Sequence, residues 1–179
     1  MTASPSRVSV CLQDSAAFIR ITGRANCQLS LDFKALMREL EKRPISCFAL
    51  ELGDCSFMDS TFLGVLAHFA LRRSHAEPPL SPPAVSGASP KIIDLLDNLG
   101  VLSFFNVLEL KTPQAEGYRE VESMAAQTSK VEMTLNCLEA HRLLMDLNPE
   151  NLARFQDVAQ FLAEDLERQR LEADPGAQA

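Results

Sequence analysis

Short apolar runs alternate with amphipathic stretches of about three turns through the first part of the chain, and that alternation narrows the fold more than any single residue does. A strand followed by a helix and a further strand makes a crossover, and crossovers lay strands parallel in a sheet covered by helices. Residues 7–12 alternate through Val8, Val10 and Leu12, and residues 17–22 carry Phe18, Ile19 and Ile21 ahead of Gly23. Gln13-Asp14-Ser15 between them is turn chemistry, so this pair reads as a hairpin. After a loop of Gly23, Arg24, Ala25 and Asn26, the residues Phe33, Leu36, Met37 and Leu40 give one apolar helix face over 31–43. Ser30 is its expected cap, and Pro44 lies past its end. Residues 47–52 (CFALEL) read as a buried central strand.

The next helix starts at Asp59-Ser60 and runs to about Ser74, with Phe62, Leu66 and Phe69 on one face. Pro78, Pro79, Pro82 and Pro83 leave room only for a short strand at 84–88, since proline donates no ladder hydrogen bond. Pro90 opens a further helix carrying Ile92, Ile93, Leu95 and Leu96, and residues 104–108 make a last strand. Residues 113–129 read as a linker with a short helix near 119–126. A helix over 130–147 follows, and Asn148-Pro149-Glu150 starts another. In that last helix Leu152, Phe155, Ala159, Leu162 and Leu166 keep 3-4 spacing for only about two heptads, so a helical hairpin is expected rather than a coiled coil. The chain thus divides into a domain at 1–112, a linker at 113–129, a helical appendage at 130–172 and a tail at 173–179.

A formal charge of −7 and scattered basic residues argue against a nucleic-acid partner, because phosphate contacts need clustered Lys and Arg. The five cysteines are odd in number and frame no pattern of pairs; with no secretory leader and no apolar run of membrane length, a cytoplasmic chain with reduced thiols is expected.

The chemistry concentrates in FMDSTFLGVL. Asp59, Ser60 and Thr61 stand at a helix start, where unpaired backbone N–H groups and the positive end of the helix dipole accept a phosphate well. By local chemistry alone Asp59 or Ser60 is equally an N-cap, worth ~1 kcal/mol. The wider pattern is more specific. GDCSFMDSTFLGVLA, followed further along by SGASPKIIDLLDNLGVLSFFNV, resembles the STAS family of anti-sigma-factor antagonists over residues 7–112. Matching residues are Phe57 to Thr61, Leu63, Gly64 and Val65, then Ser89, Pro90, Leu95, Leu96 and Gly100.

That resemblance implies an α/β fold, with helices packed on a mixed sheet of four or five strands, followed here by the helical hairpin. It implies a non-enzymatic regulator that needs no cofactor or metal and binds an anti-sigma factor or switch serine/threonine kinase. Phosphorylation at Ser60, with Thr61 as alternate acceptor, would turn binding off, and a phosphatase would restore it. The partner-binding surface it implies comprises Asp59, Ser60, Thr61, Phe62, Gly23 and Asn26. Three features depart from the family pattern: Phe62 replaces a usual glycine close to the presumed docking surface, the loop after Gly23 differs, and the stretch before Ser89 is proline-rich. The 130–172 helices are an addition, suited to dimerisation or kinase docking. An alternative keeps the fold but makes the chain a scaffold or transporter-accessory subunit, with Ser60 and Thr61 structural.

Two other constellations are weak in sequence. His68 stands about 12 Å along the helix from Ser60 at 1.5 Å per residue, too far for a Ser–His dyad, and His141 belongs to the appendage. Cys137 and His141 at i, i+4 are half of a metal site with no second pair, and His141 suits a helix surface equally well.

Overall fold

A computed structural model describes residues 4–124 and 126–173, so the tail expected at 173–179 lies, apart from the backbone of Ala173, outside the described residues. β1 (Arg7–Gln13) and β2 (Ala16–Ala25) form the expected antiparallel hairpin, with Val8 opposite Ile21 and Val10 opposite Ile19. Asp14 takes a positive φ of 51° in the turn, a conformation Asp tolerates better than most residues. β3 (Cys47–Glu51) lies parallel to the first half of β2, and β5 (Ala84–Ser86) lies parallel to β3. The two-residue β6 (Asn106–Val107) closes that edge, after a single 3-10 turn at Leu102–Phe104 that takes the start of the run expected as strand.

The sheet order is β6-β5-β3-β2-β1-β7, and two of its strands are additions to the sequence reading. β4 (Cys55–Met58) runs parallel to the second half of β2, between the strand at 47–52 and the helix start at Asp59-Ser60, where the sequence reading places no strand. β7 (Arg119–Glu120) adds to β1 where a short helix was expected, pairing Ser9 with Glu120 and Val10 with Arg119. Two residues of the segment 113–129 thus extend the sheet at the β1 edge.

α1 (Cys27–Leu40) and α2 (Ser60–Ser74) pack together over the sheet. The Phe33 ring lies 5.7 Å from Phe62 and 5.9 Å from Phe69, and Phe69 lies 5.2 Å from Phe48 of β3. α3 (Pro90–Asn98), capped by Ser89, buries Ile92 and Leu96. α4 (Lys130–Leu147) begins with a full capping box, the Ser129 hydroxyl taking the Glu132 N–H while Glu132 accepts from the Ser129 N–H. Together with α5 (Pro149–Ala173) it forms the expected hairpin, with a small core of its own around Leu138, Ala159 and Leu166. The other face of α4 does not stand apart: Ala140 and Leu144 are buried in the main core of the sheet domain. Among the described residues, no helix is long and apolar enough to cross a membrane.

Candidate functional site at the start of α2

β4 delivers the chain to the site. The Asp59 N–H donates to the Ala25 carbonyl (2.9 Å), which ties the end of β4 to the end of β2. The Asp59 carboxylate then caps two helices at once: Oδ1 accepts from the Phe62 N–H of α2 (2.8 Å), and Oδ2 accepts from the Cys27 N–H of α1 (2.7 Å). Both oxygens meet the positive ends of helix dipoles. Asn26 is the other cap of α1, accepting from the Leu29 N–H at 3.0 Å. Ser30, the cap expected from sequence, is instead fully buried one turn in, and its hydroxyl donates to the Cys27 carbonyl. Gly23 belongs to the bulged end of β2 at φ 67°; a Cβ there would stand 2.6 Å from the Ser4 carbonyl oxygen, so only glycine fits.

Two residues assigned to the docking surface point inward. Phe62 is 0% exposed and its ring stacks in the aromatic core, because it lies two positions, about 200°, round the helix from Ser60. Its replacement of glycine therefore alters the core and not the exposed face. Thr61 is 5% exposed, and its hydroxyl bonds to the sulfurs of Cys27 and Cys137.

Ser60, the first residue of α2, turns its hydroxyl away from the sheet toward α4. Its Oγ lies 2.8 Å from His141 Nε2, and His141 Nδ1 lies 2.7 Å from the Cys137 carbonyl oxygen. A carbonyl can only accept, so in the neutral imidazole Nδ1 carries the hydrogen and Nε2 accepts from Ser60. His141 is no surface residue: it is 6% exposed, with the Phe155 ring 5.1 Å away. His68 faces elsewhere, lining a groove of about 520 Å³ between α1, α2 and α4.

α4 reaches Ser60 because its backbone comes close to α2. A Cβ on Gly64 would lie 2.5 Å from the Ala140 carbonyl oxygen. Asn136 donates to Ser30 Oγ (2.9 Å), and Lys34 donates to Asn136 and Glu139. Beside them Cys27 Sγ lies 2.7 Å from Cys137 Sγ and 3.1 Å from Met133 Sδ. The hydrogen bond shared by the two thiols pulls Cys137 down to about 7, and the same bond together with burial pushes Cys27 up. Sequence reasoning missed His141 and this sulfur cluster. Their trace in the sequence is a pair of small residues, Gly64 and Ala140, where two helices approach.

No protein-family model and no curated protein sequence matches the chain. Among solved structures, the chain is similar to the anti-sigma factor antagonist SpoIIAA in its unphosphorylated form, at 14% identity and a TM-score of 0.45, over 61% of this chain and 92% of that one. It is similar also to the Bacillus cell fate determinant SpoIIAA in the phosphorylated form, at 14% identity and a TM-score of 0.46, over 61% of this chain and 94% of that one.

Proposed function

We propose that the chain is a cytoplasmic STAS-type regulator, an anti-sigma-factor antagonist, that binds an anti-sigma factor or switch serine/threonine kinase and is turned off by phosphorylation at Ser60. The observation that carries this reading is the direction of the Ser60 hydroxyl: it leaves the domain core and, among the described residues, is held by the appendage at His141. Thr61, walled in beside the two cysteines, is the poorer acceptor. A phosphate on Ser60 brings roughly −1.5 to −2 charges beside the Asp59 carboxylate, whose oxygens already hold the nearest helix N–H groups. The Phe62 and Cys27 N–H groups are therefore not free to take the phosphate, and negative charge concentrates on the face a partner would need.

Phosphorylation also has a steric condition. A phosphate cannot fit within the 2.8 Å between Ser60 and His141, so α4 must lift before a kinase reaches the hydroxyl. The appendage is thus a cover over the docking face, and a phosphatase resets a form that α4 can close again. A homodimer through 130–172 would use α5, where Leu152, Val158 and Phe161 are exposed.

Capture of the full chain from its own cell extract, read by mass spectrometry for partners and phosphosites, tests this. Wild type and Ser60→Ala should retain a kinase-like or anti-sigma partner, Ser60→Asp should retain at least tenfold less, and the phosphate should vanish in Ser60→Ala. Equal capture by both variants would favour the scaffold or transporter-accessory alternative.

The Ser60–His141 pair gives one further reading, a hydroxyl nucleophile with an imidazole base. Asp59 opposes it: its carboxylate occupies the Phe62 N–H that an oxyanion would need and repels charge developing there. Ester turnover lost in both Ser60→Ala and His141→Ala would establish that chemistry.

A further inference from the structure

Three sulfur atoms meet where α4 crosses the start of α1: Cys137 from α4, Cys27 from α1, and Met133 one turn before Cys137. At 2.7 Å the two thiol sulfurs are far closer than the sulfur ligands of a tetrahedral metal site allow, where two Zn–S bonds of about 2.3 Å hold sulfurs well over 3 Å apart. They are unbonded but in direct contact, so a shift of well under 1 Å would bring them to the approximately 2.05 Å of a disulfide bond. Both cysteines are half-buried, so a small oxidant reaches them while bulk solvent is largely excluded. Cys47, by contrast, is exposed, and Cys11 and Cys55 are buried without a neighbouring cysteine among the described residues.

We infer that Cys27 and Cys137 are a modification site, a thiol pair that a low-molecular-weight disulfide oxidises to an intramolecular cross-link fastening α4 over Ser60. The Cys137 thiolate attacks one sulfur of the small disulfide, breaking its S–S bond and releasing a thiolate that takes up the proton Cys137 has lost. Cys27 then loses its proton and attacks the Cys137 sulfur of the mixed disulfide, expelling the second small thiolate, which takes that proton. Two protein thiols are oxidised, and one small disulfide is reduced to two thiols. The thiolate-like character of Cys137 favours it as the attacking partner.

The consequence follows from placement. The Cys27 N–H is held by the Asp59 carboxylate, the cap of the helix that Ser60 begins, and the carbonyl of Cys137 holds the His141 ring on Ser60. A bond between the two sulfurs joins both sides of the cover within one turn of the hydroxyl. In a reducing compartment such a bond is a transient, sensing one. Its regulatory meaning rests on the proposed role of Ser60; the bond itself does not.

Full-length protein is titrated with glutathione disulfide, cleaved without reduction and mapped by mass spectrometry, with amide exchange followed over 130–147. The result expected is a Cys27–Cys137 cross-linked peptide, with exchange in α4 slowed at least tenfold. Cys27→Ser, Cys27→Ala and Cys137→Ser should lose both changes, and Cys47→Ser should keep them. A cross-link that involves Cys47, or that joins two chains, would overturn the inference. So would a Cys27–Cys137 bond that leaves α4 exchange unchanged. If bond and protection appear while Ser60→Ala and Ser60→Asp capture partners equally, the phosphorylation reading fails and the thiol site stands.

Discussion

Two of the attachments that fasten the C-terminal part of the chain to the sheet domain hold by different physics. Along the seam between α2 and α4, Gly64 lets backbone meet backbone, Leu144 is fully buried, and the polar contacts are few and short-range. At the far side of the sheet, residues 112–118 are held by one carboxylate. Glu51 accepts from Arg20 Nε (2.8 Å), from the Tyr118 hydroxyl (2.9 Å) and from Thr112 (3.2 Å), while the Arg20 guanidinium stacks 3.8 Å above the Tyr118 ring. The seam depends on shape and cannot yield by small steps. The clasp shares its charge among several partners, so losing one leaves the others in place. A cover that opens as a unit needs the first kind of contact, and a fixed anchor for the connecting segment needs only the second.

The seam therefore makes the largest prediction. Gly64→Val places side-chain atoms against the Ala140 backbone, where no rotamer can relieve the clash, and should destabilise the chain by about 3 kcal/mol in urea unfolding. Leu144→Ala, which instead empties the seam, should cost about 3 kcal/mol as well. Losses below about 1 kcal/mol in both would mean that α4 is loosely held and that the contrast with the clasp is false.

The two regions also differ in how well sequence anticipates them, and for the same reason. The start of α2 at Ser60 is legible because Asp59 is a strong cap directly ahead of an apolar helical run, and the end of α4 follows from Asn148-Pro149. These are local signals. α1 begins at Cys27 rather than near Ser30 because Asn26 caps it from the adjacent position, accepting from the Leu29 N–H, while Asp59, distant in sequence, takes the Cys27 N–H. β7 carries no apolar pattern; its place is set by the open edge of β1 and by the Arg7–Glu120 ion pair. His141 reaches Ser60 only through the close approach of two helices, which no periodicity within α4 encodes. The candidate hydroxyl was readable, but what covers it was not.

Within the seam, the thiols make an intermediate prediction. The bond shared with Cys27 holds Cys137 near 7, below the 9.0 of an ordinary thiol, while Asp59 from the start of α2 works in the opposite direction. Alkylation of Cys137 by iodoacetamide should thus rise with pH through about 7. Removing the partner thiol in Cys27→Ala should move that rise upward by up to two pH units. At pH 7 the rate should fall roughly sixfold, since the thiolate fraction drops about fiftyfold while a less acidic thiol gives a more nucleophilic thiolate. An unshifted profile would show that the two sulfurs do not share a proton.

The smallest effect belongs to the clasp. Tyr118→Phe removes one hydrogen bond to Glu51 but keeps the aromatic ring beneath Arg20, and Arg20 and Thr112 still satisfy the carboxylate. With that redundancy the cost should be about 1 kcal/mol, and amide exchange at β1 opposite β7 should barely change. A loss of about 3 kcal/mol would show that the hydroxyl is the keystone of the clasp rather than one of several partners. The segment leading to α4 would then be held as steeply as α4 itself, and opening of the cover would have to begin at Glu51 instead of at Ser60.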